Sequence, residues 1–110
     1  MFDFKKTRRL ILKSDFDGVF NQAHKLVCGQ ITLLYKPNQL ANARLGFAIS
    51  KKFARQSVLR NKIRRVIKES FRHHKNLSAF DIVVLLNQVC DKQKLNFIRP
   101  NIEKLWQKLK

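Results

Sequence analysis

Two hydrophobic rhythms run along the chain, and the points where one replaces the other mark its elements. Gln30 to Tyr35 alternates, with Ile31, Leu33 and Tyr35 on one side and Gln30, Thr32 and Leu34 on the other, which predicts a strand. Pro37 and Asn38 then signal a connection. Arg44 to Ser50 predicts a second strand, with Leu45, Phe47 and Ile49 apolar and the small residues Gly46, Ala48 and Ser50 opposite. The rhythm changes at Ser57. Leu59, Ile63, Val66, Ile67 and Phe71, with Ser70 among them, recur at helical spacing to Arg72, so one face of a helix is buried. Asp81 to Leu86 is a continuous apolar run, the pattern of a central strand covered on both faces. From about Lys92 to Lys110 a last helix would turn Leu95, Ile98, Ile102, Leu105, Trp106 and Leu109 inward, and Pro100 should kink it or mark a late start.

The N-terminal stretch differs in kind. Residues 1–13 form a basic arm with Lys5, Lys6, Arg8, Arg9 and Lys13. Ser14 or Asp15 can cap a short helix to about Gln22, on which Phe16, Val19 and Phe20 share a face. The predicted order is helix, two or three strands, helix, strand, helix, or α-β-β-(β)-α-β-α. That is an α+β fold with helices packed on a small mixed sheet, one domain over residues 1–110 without a linker.

Charge turns this fold towards function. The 110 residues carry 24 Lys+Arg against 7 Asp+Glu, a formal net charge of +17. Between Lys51 and Lys75 ten basic residues face one acidic residue, so +9 is concentrated in under a quarter of the chain. Such a density repels itself unless a polyanion neutralises it. On the helix, Asn61, Arg64, Arg65, Lys68 and Arg72 share a stripe away from the buried face, and Lys51, Lys52 and Arg55 precede it. Guanidinium groups at helical intervals suit a phosphate backbone, because each offers a planar two-toothed fork. An ordinary solvated helix would mix signs, whereas here only Glu69 opposes the cations. A membrane is also a polyanionic surface, but no segment is long enough to span one and the start has no apolar run for export.

Two features leave alternatives open. The small face Gly46-Ala48-Ser50 leaves room for something to lie across the sheet, and Phe16 and Phe20, one turn apart, could stack on unpaired bases; equally, those rings could pack down onto that face as core. Cys28 and Cys90 are isolated, and His24, His73 and His74 complete no zinc pattern, so both cysteines read as reduced, small apolar residues of a cytoplasmic protein.

The motifs carry a resemblance over nearly the whole chain. Ala48-Ile-Ser-Lys-Lys52, then Arg60-Asn61-Lys62-Ile63-Arg64-Arg65 with Lys68, Glu69, Phe71 and Arg72, resembles the signature of the protein component of bacterial ribonuclease P. Arg9-Leu10, Asp15-Phe16 with Val19-Phe20, Asp81-Ile-Val-Val and Glu103-Lys-Leu-Trp106 match the same family's opening, late strand and closing helix. The resemblance implies the fold of ribosomal protein S5 domain 2, with a left-handed βαβ crossover that general handedness rules would not suggest. It also implies a partnership with a large catalytic RNA and with precursor tRNA. The complex would remove the 5′ leader, with Mg²⁺ held mainly by the RNA, no metal or small-molecule substrate for the protein alone, and no catalytic side chain. Lys51, Lys52, Arg55, Arg60, Asn61, Lys62, Arg64, Arg65, Lys68 and Arg72 would contact the RNA subunit; Phe16, Phe20, Thr32, Ala48 and Ser50, with Arg60 and Asn61 at the edge, would line the leader cleft. Ser57, Arg64, Lys68, Asn87, Gln88 and Pro100 depart from the family pattern: Arg64 and Lys68 exchange one cation for the other, which keeps charge but alters fork geometry, and Asn87 and Gln88 stand where a basic residue is common.

Three other functions compete. A general structured-RNA-binding protein, ribosomal in style, would share the electrostatics without a processing role. A nuclease acting alone would need clustered carboxylates, but Asp3, Asp15, Asp17, Glu69, Asp81, Asp91 and Glu103 are dispersed, and His73 and His74 point about 100° apart on a helix. Double-stranded DNA packaging would show little preference for RNA.

Overall fold

The computed structural model describes residues 23–38, 42–74, 77 and 79–109. The basic arm, the short helix and its Phe16, Val19 and Phe20 lie outside the described residues. The described elements are strands β1 (His24–Cys28), β2 (Ile31–Pro37) and β3 (Arg44–Phe47), helix α1 (Ser57–Arg72), strand β4 (Phe80–Leu86), a 3₁₀ turn (Lys94–Phe97) and helix α2 (Ile98–Leu109). The sheet runs β1-β2-β4-β3. β1 and β4 are antiparallel to β2, while β3 is parallel to β4, so α1 bridges a parallel pair inside a mixed sheet.

The apolar run Asp81–Leu86 is central, as its composition requires. Ile82, Val84 and Leu86 face the main core with Ile31, Leu33 and Leu45, while Val83 is fully buried on the other face among Ala23, Leu34, Ala48 and Leu85. Both helices contribute to the main core. Leu59, Ile63, Ile67 and Phe71 of α1 meet Ile98, Ile102, Leu105 and Trp106 of α2 there.

Four sequence expectations change. β1, left open by the pattern, is formed by His24–Cys28 and joins β2 through Gly29-Gln30. Gly29 has φ +57°, the left-handed conformation that favours glycine in this turn, and a Cβ there would press on the side-chain amide of Asn101 on α2. β2 continues through Pro37, which pairs opposite Phe80 at the strand's last position, where the missing N–H is tolerated. β3 ends at Phe47, although the Ala48 N–H still donates to Val84 O. Ser50 leaves the sheet because its carbonyl accepts the N–H groups of Phe53 and Ala54 in a turn, and its hydroxyl accepts from Lys52 N. Finally, the last α-helix begins at Ile98 and not near Lys92: Pro100 marks the late start, the second of its two expected roles, and sits in the third helical position, where a backbone N–H has no intrahelical partner to lose.

Polar ties hold the margins. Arg44 makes a two-toothed pair with Asp81 (2.8 and 2.7 Å), which also accepts from Asn38 Nδ2 at 2.8 Å. Burial pushes the Asp81 carboxyl up, but these hydrogen bonds and the Arg44 and Lys36 charges outweigh it and leave the group below its usual range. Between the helices, Trp106 Nε1 donates to Ser70 Oγ at 2.8 Å, the Ser70 hydroxyl donates to Glu103 Oε2, and His74 Nε2 lies 2.9 Å from Glu103 Oε1. Ser70 is thus a buried hydroxyl with two partners on α2, which explains a polar residue inside an apolar stripe. Among the described residues no helix is long and apolar enough to cross a membrane.

Candidate nucleic-acid interface

α1 gathers the basic stripe by geometry alone. Its buried residues hold one side to the sheet and α2, which turns Asn61, Arg64, Arg65, Lys68 and Arg72 outward around one shallow depression of about 340 Å³. Arg64 donates to Asn61 Oδ1 at 3.0 Å, one turn apart, so the asparagine orients the guanidinium. Arg72 pairs with Glu69 at 3.2 Å at the far end of the depression. Lys68 Nζ lies 5.9 Å from the centre of the Phe47 ring at the sheet edge. Among the described residues Glu69 is the one carboxylate lining the depression, against four cations, and it is paired with Arg72, so the net field is positive.

Other predicted residues are placed differently. Arg60 is half-buried, and its Nη1 donates to the carbonyls of Ala54 and Arg55, both at 2.9 Å, which ties the incoming loop to the helix. Lys62 is exposed beyond the depression, and Lys51 is exposed in the turn after Ser50. Lys52 and Arg55 line a second cleft, formed with the loop after β4. Thr32 is buried, with its hydroxyl accepting from Asn87 Nδ2 at 3.1 Å. Asn87 also donates to Gly29 O, so this departure from the family pattern pins the hairpin to the end of β4. Ala48 is half-buried beside Val83, whereas Ser50 is exposed. On the same small-residue face Val83 and Gly46 are buried, so exposure among the described residues rises from the sheet centre towards Ser50.

Val89, Lys92 and Gln93, which line the second cleft, carried no signal in the sequence. They lie beyond a strand in an irregular loop, and only tertiary structure brings them opposite Lys52 and Arg55. Among the described residues no three His, Cys, Asp or Glu side chains gather to hold a metal ion. Cys28 and Cys90 are both free thiols.

A mixed α+β sheet carrying one strongly cationic, carboxylate-poor helix face is the build of a small nucleic-acid-binding protein. The family model for ribonuclease P matches residues 4–110. The ribonuclease P protein component of Legionella pneumophila is 43% identical over 109 residues, covering 99% of this chain and 95% of that one. That of Buchnera aphidicola is 37% identical, covering 96% and 93%. The ribonuclease P protein of Staphylococcus aureus superposes with a TM-score of 0.82 at 31% identity, over 96% of this chain and 97% of that one. The Thermotoga maritima protein gives a TM-score of 0.75 at 27% identity, over 93% and 97%. The chain belongs to the ribonuclease P protein family, and with it to the endoribonuclease ribonucleoprotein that processes tRNA.

Proposed function

We propose that the chain assists a catalytic RNA in removing the 5′ leader from precursor tRNA, acting in the cytoplasm, with the phosphodiester hydrolysis carried by the RNA. The observation that carries this reading is the convergence of Arg64, Arg65, Lys68 and Arg72 on one depression beside the orienting Asn61. Such a surface holds phosphates by charge and fork geometry, without reading bases. Arg60 acts mainly by fixing the loop that carries Lys51, Lys52 and Arg55, and these extend the RNA-facing surface. The leader would pass along the sheet margin at Ala48 and Ser50, with Phe16 and Phe20 as its stacking partners. Mg²⁺ would supply Lewis-acid chemistry from sites on the RNA.

The test is cleavage of a 5′-extended tRNA at near-physiological Mg²⁺ and salt, comparing protein alone, a bacterial ribonuclease P RNA alone, and both. Strong stimulation only in the mixture is expected. Cleavage by clean protein alone would move the chemistry onto side chains. Tight RNA binding without stimulation would make the chain a general structured-RNA-binding protein.

A further inference from the structure

The second cleft, of about 700 Å³, lies between the loop ahead of α1 and the loop after β4. Hydrogen bonds within the protein tie its walls together. Cys90 N–H donates to Phe53 O at 2.7 Å across the two loops, and Arg60 holds Ala54 and Arg55 from beneath. On the other wall, Lys94 N–H donates to Asp91 Oδ1 at 3.0 Å. The floor is apolar, made by half-buried Phe53 and buried Leu59 and Cys90. Val89 stands at the cleft 58% exposed, an apolar side chain left in water beside three cations. Those cations, Lys52, Arg55 and Lys92, are all exposed, and Asp91, the one carboxylate lining the cleft among the described residues, is already engaged by a backbone N–H.

A cationic rim over an apolar floor matches a nucleotide, whose two ends are a phosphate and an uncharged planar ring. A bare phosphate would not use the floor, and an apolar peptide would not use the rim. The volume falls within the roughly 300–1,000 Å³ of small-ligand pockets. Gln56 and Gln93 at the edge each carry an amide donor and acceptor suited to a base edge. The cleft meets the N-terminal end of α1, since Gln56 caps that helix and Leu59 lies in its first turn. We propose that this cleft receives one unpaired nucleotide of the RNA subunit, its base against Phe53 and Val89 and its phosphate at Lys52, Arg55 and Lys92. This assignment rests on the ribonuclease P reading and adds a base-occupied contact to the phosphate contacts of α1.

The experiment places photoreactive p-benzoylphenylalanine at Val89, or at Val27 on the edge strand β1 as the comparison, and irradiates each full-length protein with a bacterial ribonuclease P RNA transcript. The expected result is a cross-link from position 89 to one unpaired nucleotide of that RNA, and none from position 27. Removing the base of that nucleotide should weaken wild-type binding about tenfold, the scale of one lost base contact. It should cost Val89→Asp, already about tenfold weaker by the same loss, nothing further. Lys92→Ala, a milder surface change, should flatten the logarithmic salt slope by roughly one. Val89→Asp and Lys92→Ala that both bind as wild type, while Arg64→Ala with Arg65→Ala still weakens binding, would overturn the cleft and leave the ribonuclease P reading intact. A cross-link to the leader of precursor tRNA, to a second protein copy, or spread over paired nucleotides would also overturn it. Wild-type protein that neither binds nor stimulates the RNA would overturn both.

Discussion

The two helices make an instructive pair. α1 and α2 are both amphipathic, both pack on the same sheet face, and both are outwardly basic. Yet among the described residues α1, and not α2, gathers its cations around one depression. Its Asn61, Arg64, Arg65, Lys68 and Arg72 recur at intervals of one, three and four, so they stay on one stripe and line one depression. On α2, Lys104 and Lys108 are one turn apart and share a face, but Arg99 stands about 140° away from Lys104, so the stripe holds two cations where α1 gathers four. Its acidic residue, Glu103, turns towards α1 instead. Angular convergence, more than the number of cations, makes a site.

The largest effect should come from breaking the junction that sets the two helices against each other. Trp106 is fully buried, lies 5.6 Å from the Phe71 ring and donates to Ser70. Trp106→Ala should cost about 3–5 kcal/mol in denaturant unfolding. A loss below 1 kcal/mol would mean the helices are held independently. Ser70→Ala should cost about 1–3 kcal/mol, because the indole N–H and Glu103 both lose a partner.

The comparison itself is sharpened by paired charge removal. Arg64→Ala with Arg65→Ala should weaken binding to ribonuclease P RNA by about 10- to 100-fold at low salt and flatten the salt slope by nearly two. Lys104→Ala with Lys108→Ala should change affinity by about twofold, the non-specific share of two distant cations. Equal losses from both pairs would show that total charge, and not its arrangement, controls binding.

Acid stability tests the ties at the margins. In Glu103, burial raises the carboxyl, but hydrogen bonds from Ser70 and His74 and the His74 and Arg99 charges bring it below its usual value, as the Arg44 and Asn38 bonds do for Asp81. A lowered folded-state pKa stabilises the fold above the unfolded value near 4 and is lost as pH falls through the folded values. The melting temperature should therefore drop on acidification below about pH 4–5. Asp81→Asn with Glu103→Gln should flatten that limb while lowering the melting temperature at neutral pH. An acid limb unchanged in the double variant would place the titration elsewhere. The smallest effect belongs to Pro100→Ala, expected to change stability by less than about 1 kcal/mol, since the first turn uses no N–H at that position.

Periodicity and charge were sufficient to define α1, its buried face and its basic stripe, because a helix converts sequence spacing directly into angle. They also located β4 at the centre of the sheet, because an unbroken apolar run has no face to give to water. Tertiary structure alone decided the rest. The Arg60 side chain turned to the loop carbonyls, Thr32 was sealed by Asn87, and Ser50 left the sheet at a turn, none of which follows from residue spacing. The second cleft is the clearest case. Lys52 and Lys92 are forty positions apart, and a parallel strand pair bridged by α1 brings their loops to the same end of the sheet. Local pattern encodes neighbours along a helix or strand; which loops meet at the strand ends depends on the path of the whole chain.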